Sequence, residues 1–490
     1  MYKIPRSYKI KDAINALNTL QTNYDVLKTI EHSKKNLNKE SLPQMIEWLH
    51  KIGYKIDDIH KLNVIHVAGT KGKGSTCAFI SSILEQLRHR YGKPVRFGLY
   101  TSPHLITVRE RIRINGVPIS ETLFAKYFFE VWDRLEEIAI CKGLDPAIKP
   151  SYFRYLTLMS WHVFISEKVN TLVMEVGIGG EYDSTNIIQR PTVTGITSLG
   201  IDHVSILGDT IEEISWHKAG IFKENAPALT VEQPALAIKV LKERAFERKA
   251  HFSIVSVNPD LKKVKLGLSA DFQYINASLA FAIVTHHLPY LDIPSNNSLY
   301  EIFDTMKVGL EKASWPGRCQ LYKEDSISWY LDGAHTVESI KEAVIWYTNS
   351  VSLANNPSKK SILIFNQQTR NPLILLESLY NLVTKKMGRN PFNIVIFPTN
   401  VTWKDGTYNR DLINVNLGIE EVKSLKTQHN LKDHWIKLDG DSTIINISNS
   451  IEDAVDLVRF EATLSNINVF VTGSLHLIGG LLTVFYKSKF

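Results

Sequence analysis

Apolar runs and amphipathic stretches alternate along the chain. The first clear run is VIHVA at 64–68, and the segment STCAFISSILEQL at 75–87 carries apolar residues at spacings of three and four, which is the spacing of one helix face. The runs VRFGLYTS, TLVMEVGIGG and PTVTGITSLG follow, and a helix is predicted from about 210 to 219. This order is typical of a mostly parallel sheet with helices on both faces.

The same alternation begins again after SWPGRCQ. The runs SWYLDGAH, SILIFNQQ, FNIVIFPT and NINVFVTGS are separated by helical patterns, and Trp315, Pro316 and Gly317 form the best candidate linker. We therefore expect an α/β protein with a mostly parallel sheet domain at 1–314 and a smaller Rossmann-like α/β domain at 315–490. Because ligands bind at the carboxyl ends of strands in open α/β sheets, we expect a site in the cleft between the two domains.

Composition narrows the class of protein further. The chain has 490 residues and a net charge of +7, which suits an enzyme of anionic small molecules better than a nucleic-acid binder. Three cysteines without metal-ligand spacing favour a reducing compartment, and no apolar run is long enough for a membrane span. We expect a cytoplasmic monomer. The basic N-terminus, with Lys3, Arg6, Lys9 and Lys11, leaves a mitochondrial location open.

The segment VAGTKGKGST at 67–76 predicts a phosphate site. Gly69, Gly72 and Gly74 lie between the first strand and its helix, and Lys73 adds a full positive charge. Backbone amides of such a loop and the helix N-terminus favour a triphosphate. The spelling departs from the common P-loop, because Gly74 rather than Ser or Thr follows the lysine. The alternative is a βα turn that is rich in lysine by accident.

Polar residues follow other strands of the first domain. Ser102 lies in a proline-marked loop, and Glu175 ends an apolar strand, where a carboxylate needs a cation such as magnesium. Asp202 and His203 follow another strand, and proximity to a nucleotide favours a metal or phosphate role for the histidine. Lys218 is either an exposed cation or a reactive amine, and the sequence does not choose between the two.

A run of arginines, RERIRING, lies between these segments. Arg109, Arg111 and Arg113 occupy alternate positions and share a face if the segment is extended. We assign Arg111 to an anionic group of the substrate. A solvated basic hairpin is the better interpretation for the other two arginines.

The second domain offers its own strand-end residues. Arg318 in WPGRCQ suits a phosphate and Asp332 in LDGAHT suits a ribose hydroxyl. His335 follows in the same loop, and Ser474 and His476 lie at the last turn from strand to helix.

These segments together resemble the folylpolyglutamate synthases, within the ATP-dependent amide ligases that include the Mur ligases. The matching segments, in the order of that family, are GTKGKGSTCAF, SPHL, RERIRING, YFRYLTLM, EVGIGGEYDSTNII, SLGIDH, KAGIFK, WPGR, DGAHT and VTGSLHL. They span nearly the whole chain. The N-terminal DAINALNTLQTN is similar to the eukaryotic branch.

The resemblance implies a role for each matching residue. The ATP contacts that it implies are Gly72, Lys73, Gly74, Ser75, Asn276, Arg318 and Asp332, with Asn276 near the adenine. Magnesium would be held by Ser102, Glu175 and His203, and the resemblance leaves room for a monovalent cation. The carbamylated lysine of the family falls on Lys218, and His335 and Ser474 match positions associated with the incoming glutamate.

The implied activity is addition of L-glutamate to the γ-carboxylate of tetrahydrofolate through an acyl phosphate. Lys73, Lys218, His335, Ser474 and Arg111 are the expected catalytic residues. The nearest alternative is dihydrofolate synthase, which joins glutamate to dihydropteroate by the same chemistry. A Mur-type ligase fits the motifs less well.

Two other classes of protein also carry a nucleotide-binding loop. One is a nucleotide-binding regulatory protein without catalysis, which could dispense with Lys218, Glu175 and His203 although all three remain. The other, a nucleic-acid-binding ATPase, is disfavoured because no basic aromatic stripe occurs.

Two departures from the family pattern stand out. The lysine-rich segment at 255–266 matches no motif. Arg154 stands where many bacterial relatives have an acidic residue, which leaves the substrate contacts there open.

Overall fold

The computed structural model describes residues 9–21, 40–294, 297–353, 360–368, 370–412 and 424–487. Lys3 and Arg6, the basic residues nearest the N-terminus, lie outside this part.

The chain divides into two compact units. Unit 1 takes the described residues of Met1–His104, Arg109–Gly267 and Gln273–Ser314, and unit 2 takes those of Leu105–Val108, Leu268–Phe272 and Trp315–Phe490. Unit 2 thus includes two short segments that the predicted domains, 1–314 and 315–490, do not assign to it. Strand and turn patterns do not report which core a short connecting segment joins, because that depends on tertiary packing.

Unit 1 is built on an eight-stranded sheet with the order β4-β3-β2-β5-β1-β6-β7-β8. The strands are β1 (Val64–Ala68), β2 (Phe97–Tyr100), β3 (Ile112–Ile114), β4 (Val117–Pro118), β5 (Thr171–Glu175), β6 (Val193–Ile196), β7 (Pro227–Val231) and β8 (His251–Val255). The short strands β3 and β4 are antiparallel at one edge, and the other pairs are parallel. The central strand β1 pairs with both β5 and β6 and is buried along its whole length, as its mostly apolar sequence VIHVA predicts.

The described helices of unit 1 are α1 (Ile10–Asn18), α2 (Ser41–Lys51), α3 (Ile56–His60), α4 (Lys73–Tyr91), α5 (Glu121–Cys141), α6 (Tyr152–Ser166), α7 (Val204–Leu207), α8 (Ile211–Ala219), α9 (Ala235–Glu247), α10 (Gln273–His287) and α11 (Leu299–Lys312). Helix α4 packs against α10 and α11. Short 3-10 turns occupy Val108–Arg111, Ser184–Ile187, Pro259–Lys263 and Leu288–Tyr290. The turn at Pro259–Lys263 lies in the lysine-rich segment that matched no motif.

Unit 2 has a six-stranded sheet with the order β13-β12-β11-β14-β10-β9. Its strands are β9 (Gln320–Glu324), β10 (Ile327–Leu331), β11 (Lys360–Phe365), β12 (Ile394–Pro398), β13 (Ile444–Ser448) and β14 (Ile467–Thr472). Its described helices are α12 (Val337–Leu353), α13 (Pro372–Met387), α14 (Lys426–Asp439), α15 (Ile451–Ala462) and α16 (Leu475–Lys487), and a 3-10 turn spans Arg410–Leu412. Only β9 is antiparallel to its neighbour.

Helices cover both faces of this second sheet. Trp329 and Leu331 of β10 pack in one hydrophobic cluster with α15 and α16, whereas Tyr330 packs in another with α12, α13 and α14. Because alternate residues of a strand point to opposite faces, each cluster marks one face of the sheet. The predicted α/β class with mostly parallel sheets is therefore confirmed.

The helix predicted at 75–87 is confirmed as part of α4, which begins two residues earlier, at Lys73, directly after Gly72 with its left-handed φ of 87°. One local prediction was wrong. The run of arginines is not extended: Arg109 and Arg111 lie in the 3-10 turn Val108–Arg111, and only Arg113 belongs to a strand. No helix in the described ranges is long and apolar enough to cross a membrane.

Candidate active site

The glycine loop leaves the end of β1 and runs into α4. Its backbone is anchored across the sheet edge, because the amides of Thr70 and Lys71 both donate to the carbonyl of Ser198, each at 3.0 Å. Gly69 has a φ of 147°, and a Cβ there would overlap the side chain of Thr197. The loop therefore requires glycine where it bends, as a loop that wraps an anion does.

Two lysines meet at one backbone carbonyl in this loop. The Nζ of Lys73 donates to the carbonyl oxygen of Gly69 at 3.0 Å, and the Nζ of Lys218 donates to the same oxygen at 2.8 Å. Lys218 is only 3% exposed. Burial, and then the charge of Lys73, hold the pKa of Lys218 well below its usual range. The Lys218 amine is thereby biased towards its neutral, nucleophilic form.

A third lysine of the loop is neutralised locally. Lys71 forms an ion pair of 3.1 Å with the buried Asp202. The backbone N–H of His203 donates to the same carboxylate at 2.9 Å, and His203 itself is exposed and adopts a left-handed φ of 53°. The sequence pattern placed Asp202 and His203 beside the nucleotide loop, and the ion pair joins the aspartate to Lys71 of that loop.

Ser102 and Glu175 are brought together at the ends of β2 and β5. Glu175 is 3% exposed, and its carboxylate accepts the backbone N–H of Ser102 at 3.0 Å. Burial raises the pKa of the nearby Cys77 thiol, and the charge of Glu175 raises it further. The described residues contain no group of three or more His, Cys, Asp and Glu side chains arranged to hold a metal.

Helix α10 closes the loop from the other side. Asn276 lies against Gly72, where an added Cβ would overlap its amide, and it donates to Gln273 at 2.9 Å. Gln273 in turn donates to the hydroxyl of Ser75 at 3.5 Å. The three polar side chains are all buried. This contact places Asn276 at the glycine loop.

The arginines of RERIRING differ in their surroundings. Arg111 is 8% exposed and donates through Nε to Nδ1 of His104 at 2.9 Å, with the ring of Tyr152 5.5 Å from its guanidinium. Arg109 donates to the carbonyl of Ile119 at 2.9 Å. The expected hairpin is formed by β3 and β4, and Arg109, which precedes it, is only partly exposed to solvent.

Arg113 lies in this hairpin, on β3. It is partly buried and donates to the carbonyls of Glu110 at 3.1 Å and Gly116 at 3.4 Å. These bonds satisfy its guanidinium within the turn.

The segment at 177–186 holds the helix that carries Lys218. The amide of Glu181 donates to the carbonyl of His217 at 2.7 Å, and the side chain of Asn186 donates to the carbonyl of Gly220 at 3.1 Å. A Cβ on Gly180 would lie 2.7 Å from the carbonyl oxygen of His217 and 2.9 Å from that of Lys218. This close approach fixes the end of α8.

Charged residues reinforce this contact. Arg244 and Arg248 of the α9 region donate to the carboxylate of Glu181 at 2.6 and 2.7 Å. The sequence analysis missed all three residues. The i, i+4 spacing of the two arginines was the available signal, but it gives no partner in another segment.

Arg154 has a structural explanation. Its guanidinium donates to Gln44 at 3.0 Å and to the hydroxyl of Ser41 at 2.9 Å, and Ser41 donates to the carbonyl of Tyr182 at 3.0 Å. The residue that departs from the bacterial pattern thus joins α6 to α2.

Unit 2 holds a second group of the predicted residues. Asp332 is 7% exposed just after β10 and accepts the backbone N–H of Cys319 at 2.8 Å. Burial raises the pKa of the Asp332 carboxyl, and the charge of Arg318 opposes that shift. The positive charge of Arg318 thus favours the ionised form of the Asp332 carboxyl.

His335 and Ser474 lie on adjoining loops. The amide of Gly473 donates to the carbonyl of Ala334 at 3.1 Å, which joins the loops after β14 and β10. Nδ1 of His335 lies 2.9 Å from the carbonyl oxygen of Gly333, so this nitrogen carries the proton. The hydroxyl of Ser474 accepts the N–H of Leu477 at 3.1 Å and caps the start of α16.

A glycine loop on a mostly parallel sheet, followed by a second α/β unit, is an architecture found in solved structures. The Mycobacterium tuberculosis folylpolyglutamate synthase complexed with ADP superposes with a TM-score of 0.69 at 23% identity, covering 96% of this chain and 99% of that one. Escherichia coli FolC, in complex with DHPP and ADP, gives 0.69 at 21% identity, covering 98% and 99%. These likenesses establish the fold.

Sequence comparison adds the family. The chain is 48% identical to the folylpolyglutamate synthase of Saccharomyces cerevisiae strain AWRI796, covering 97% of this chain and 86% of that relative, and the same values hold for strain YJM789. A family model described as dihydrofolate synthetase, C-terminal domain, matches residues 318–484. The chain belongs to the folylpolyglutamate synthase family.

Proposed function

We propose that this protein is an ATP-dependent ligase that adds L-glutamate to the γ-carboxylate of tetrahydrofolate and of its shorter polyglutamates. The observation that carries the proposal is the pair Lys73 and Lys218 on the carbonyl of Gly69, at the start of α4. The Lys73 ammonium at this loop favours a highly charged anion such as a triphosphate, and the buried Lys218 amine shares its carbonyl acceptor. Membership of the family, at 48% identity to a folylpolyglutamate synthase, supports the choice of substrates.

We assign two groups of residues to the nucleotide. Gly72, Lys73, Gly74 and Ser75 would cradle the phosphates of ATP, with Asn276 beside them. Arg318 would contact a phosphate and Asp332 a ribose hydroxyl. The electrostatic pairing of Arg318 with Asp332 in the structure supports their joint assignment.

The reaction needs activation because the oxygen of a carboxylate does not leave. An oxygen of the γ-carboxylate attacks the γ-phosphorus of ATP, ADP departs, and an acyl phosphate forms. The amine of L-glutamate then attacks the acyl carbon, phosphate leaves with its oxygen and electron pair, and the amine loses a proton. Lys73 and Arg318 neutralise negative charge during phosphoryl transfer.

Magnesium is the expected metal. Ser102 and Glu175 offer hydroxyl and carboxylate oxygens, which fit this ion, and Ser102 is already joined to Glu175. With His203 they would hold magnesium, which supplies charge neutralisation at the phosphates. A monovalent cation would take similar oxygen donors.

Lys218 is proposed to be carbamylated. Its neutral amine adds to carbon dioxide, an N–C bond forms, and a proton leaves to water. The lowered pKa of Lys218 supports this step. The product is an anion beside Lys73, which compensates the positive charge of the Lys73 ammonium and supports a metal.

The remaining residues are assigned to the carboxylate substrates. Arg111 is buried, and no carboxylate forms an ion pair with it among the described residues, which favours an anionic group of the folate as its partner. His335 and Ser474 are proposed to contact the incoming glutamate. We also expect a monomer in the cytoplasm, with a mitochondrial location open, because the free cysteines suit a reducing compartment.

A second candidate function is dihydrofolate synthase, favoured by the description of the matched model at residues 318–484. Purified protein with ATP and labelled glutamate, given tetrahydrofolate or dihydropteroate, separates the two. We expect label only with tetrahydrofolate, in products with several glutamates. Label only with dihydropteroate would show that dihydropteroate, not tetrahydrofolate, is the substrate. Label with neither compound would contradict both ligase assignments.

A further inference from the structure

Two loops of unit 2 are joined around Cys319. The amide of Gly333 donates to the carbonyl of Gly317 at 2.9 Å, so the residues before and after β9 and β10 lie side by side. A Cβ on Gly333 would be 3.5 Å from Nη1 of Arg318, so the guanidinium lies next to this junction. Cys319 comes directly after Arg318 and faces Asp332 across the junction of the two loops.

Cys319 donates two hydrogen bonds to one oxygen of Asp332. Its backbone N–H donates to Oδ2 of Asp332 at 2.8 Å, and its thiol donates to the same Oδ2 at 3.3 Å. The residue is 3% exposed. Burial, with the charge of Asp332, raises the pKa of the thiol far above its usual range, so the sulfur keeps its proton and remains a donor. Two donors on one oxygen restrict rotation of the carboxylate.

The backbone of Cys319 is also unusual. Its φ of 45° lies in the left-handed region, which a side chain other than glycine adopts rarely and at a cost in energy. The strained turn is what directs the amide at Asp332. The surrounding turn is held by the amide of Gly317, which donates to Gln320 at 2.9 Å.

We propose that Cys319 is a positioning residue for nucleotide binding, which fixes the orientation of the Asp332 carboxylate and its place beside Arg318. This inference rests on the proposed function, in which Arg318 and Asp332 contact ATP. The thiol itself touches neither substrate nor metal in this proposal.

The test compares Cys319→Ala, which removes the side-chain donor and keeps the amide, with Cys319→Ser, which keeps a donor. We expect the Kd of ATP for the alanine variant to rise about threefold to tenfold, as loss of one hydrogen bond to a carboxylate predicts. The serine variant should stay within about twofold of wild type, and kcat and the KM of tetrahydrofolate should hardly change in either. Cys141→Ala, at an exposed cysteine of unit 1, is the matched control.

Asp332→Asn separates this inference from the function on which it rests. If Asp332→Asn leaves the Kd of ATP unchanged, the assignment of Asp332 to the nucleotide fails. If Asp332→Asn weakens ATP binding but Cys319→Ala does not, only the positioning role is overturned. A positioning role also predicts that Cys319→Ala adds little to the effect of Asp332→Asn, whereas two additive losses would contradict it.

A purely structural role gives a different pattern. Cys319→Ala would then lower the thermal midpoint and weaken ATP, tetrahydrofolate and glutamate alike, with no recovery by serine. That outcome would overturn the positioning role. A selective change in ATP binding that serine restores would support it.

Discussion

At the scale of single residues, the site depends on lysine side chains that lie close together. Lys73 and Lys218 share the carbonyl of Gly69, whereas Lys71 is neutralised by Asp202. Charge that is neither paired nor solvated is costly, so this arrangement favours the binding of an anion. The lysines therefore differ in function although all three lie at one loop.

Lys73→Ala should reduce turnover by at least about 100-fold, because no other fixed cation replaces it where charge develops during phosphoryl transfer. Initial rates with saturating ATP measure this loss. Lys249→Ala is the control, since Lys249 is exposed and pairs only with Glu224 on the surface of unit 1. A Lys73 variant with nearly normal rates would remove this lysine from the phosphate site.

Lys218→Ala should be inactive and should regain part of its activity in acetate or formate, if the lysine works as a carbamate. A small carboxylate can fill the space of the missing anion and restore its charge. Rates over a series of acetate concentrations, with Lys249→Ala as the control for salt, measure the rescue. Full activity without any added carboxylate would exclude the carbamate.

Residue patterns predicted part of this site. Glycines and lysines between a strand and a helix identify the loop, because that chemistry is local in sequence. Cys319 and Glu181 were missed, because their partners, Asp332 and Arg244, are distant in sequence. Only the folded chain shows which donor meets which carboxylate.

At the scale of elements, the end of α8 is set by the segment after β5. Backbone contacts at Gly180 and Glu181, and the side chain of Asn186, hold the last turn of the helix that carries Lys218. The position of Lys218 thus depends on a neighbouring segment rather than on its own helix alone.

Gly180→Ala should lower kcat about tenfold or more, because the added Cβ pushes the end of α8 away from the loop and a shift of about 1 Å is enough for such a loss. Gly180 has no left-handed φ, so the effect is one of space. Gly200→Ala is the control, since nothing lies within 4 Å of a Cβ there. Equal rates for both variants would show that this contact does not position Lys218.

A buried histidine joins helix α10 to the sheet and predicts a pH dependence. His287 lies between the hydroxyls of Thr171 and Thr192, at 3.3 and 2.8 Å. Burial lowers its pKa from 6.5 to about 3, so the unfolded chain binds a proton that the folded chain does not. Its contribution to stability is complete above pH 6.5 and is lost as the pH falls towards 3.

His287→Asn should therefore flatten the loss of unfolding free energy between pH 7 and 5. The difference in slope should approach about 1.4 kcal/mol per pH unit. Urea unfolding at several pH values measures it. His286→Asn, at the exposed neighbour, should keep the slope of the wild type, and an unchanged slope for His287→Asn would contradict the buried neutral ring.

At the scale of the whole molecule, the order of elements could be predicted and the membership of short segments could not. Five-residue apolar runs and glycine turns define two parallel sheets. The segment Leu105–Val108 nevertheless belongs to unit 2, where Leu105 packs in the hydrophobic cluster of α15 and α16 and the amide of Val108 donates to Asp411 at 2.8 Å. Such packing depends on the shapes of segments that are distant in sequence. A local pattern of residues does not contain this information.

The extended conformation expected for the arginines at alternate positions was wrong for a similar reason. A spacing of two predicts a strand, but only Arg113 lies in one, whereas Arg109 and Arg111 lie in the 3-10 turn Val108–Arg111, with Arg109 bound to the carbonyl of Ile119. Tertiary hydrogen bonds overrode the local period.

The central claim is that the folate carboxylate is activated by ATP before glutamate attacks. The most direct measurement uses tetrahydrofolate labelled with ¹⁸O in its γ-carboxylate, with ATP, L-glutamate and the purified protein. If an acyl phosphate forms, each turnover transfers one ¹⁸O to the released phosphate and leaves the other in the new amide. Phosphate free of ¹⁸O, formed together with the glutamylated product, would contradict the acyl phosphate and with it the proposed mechanism.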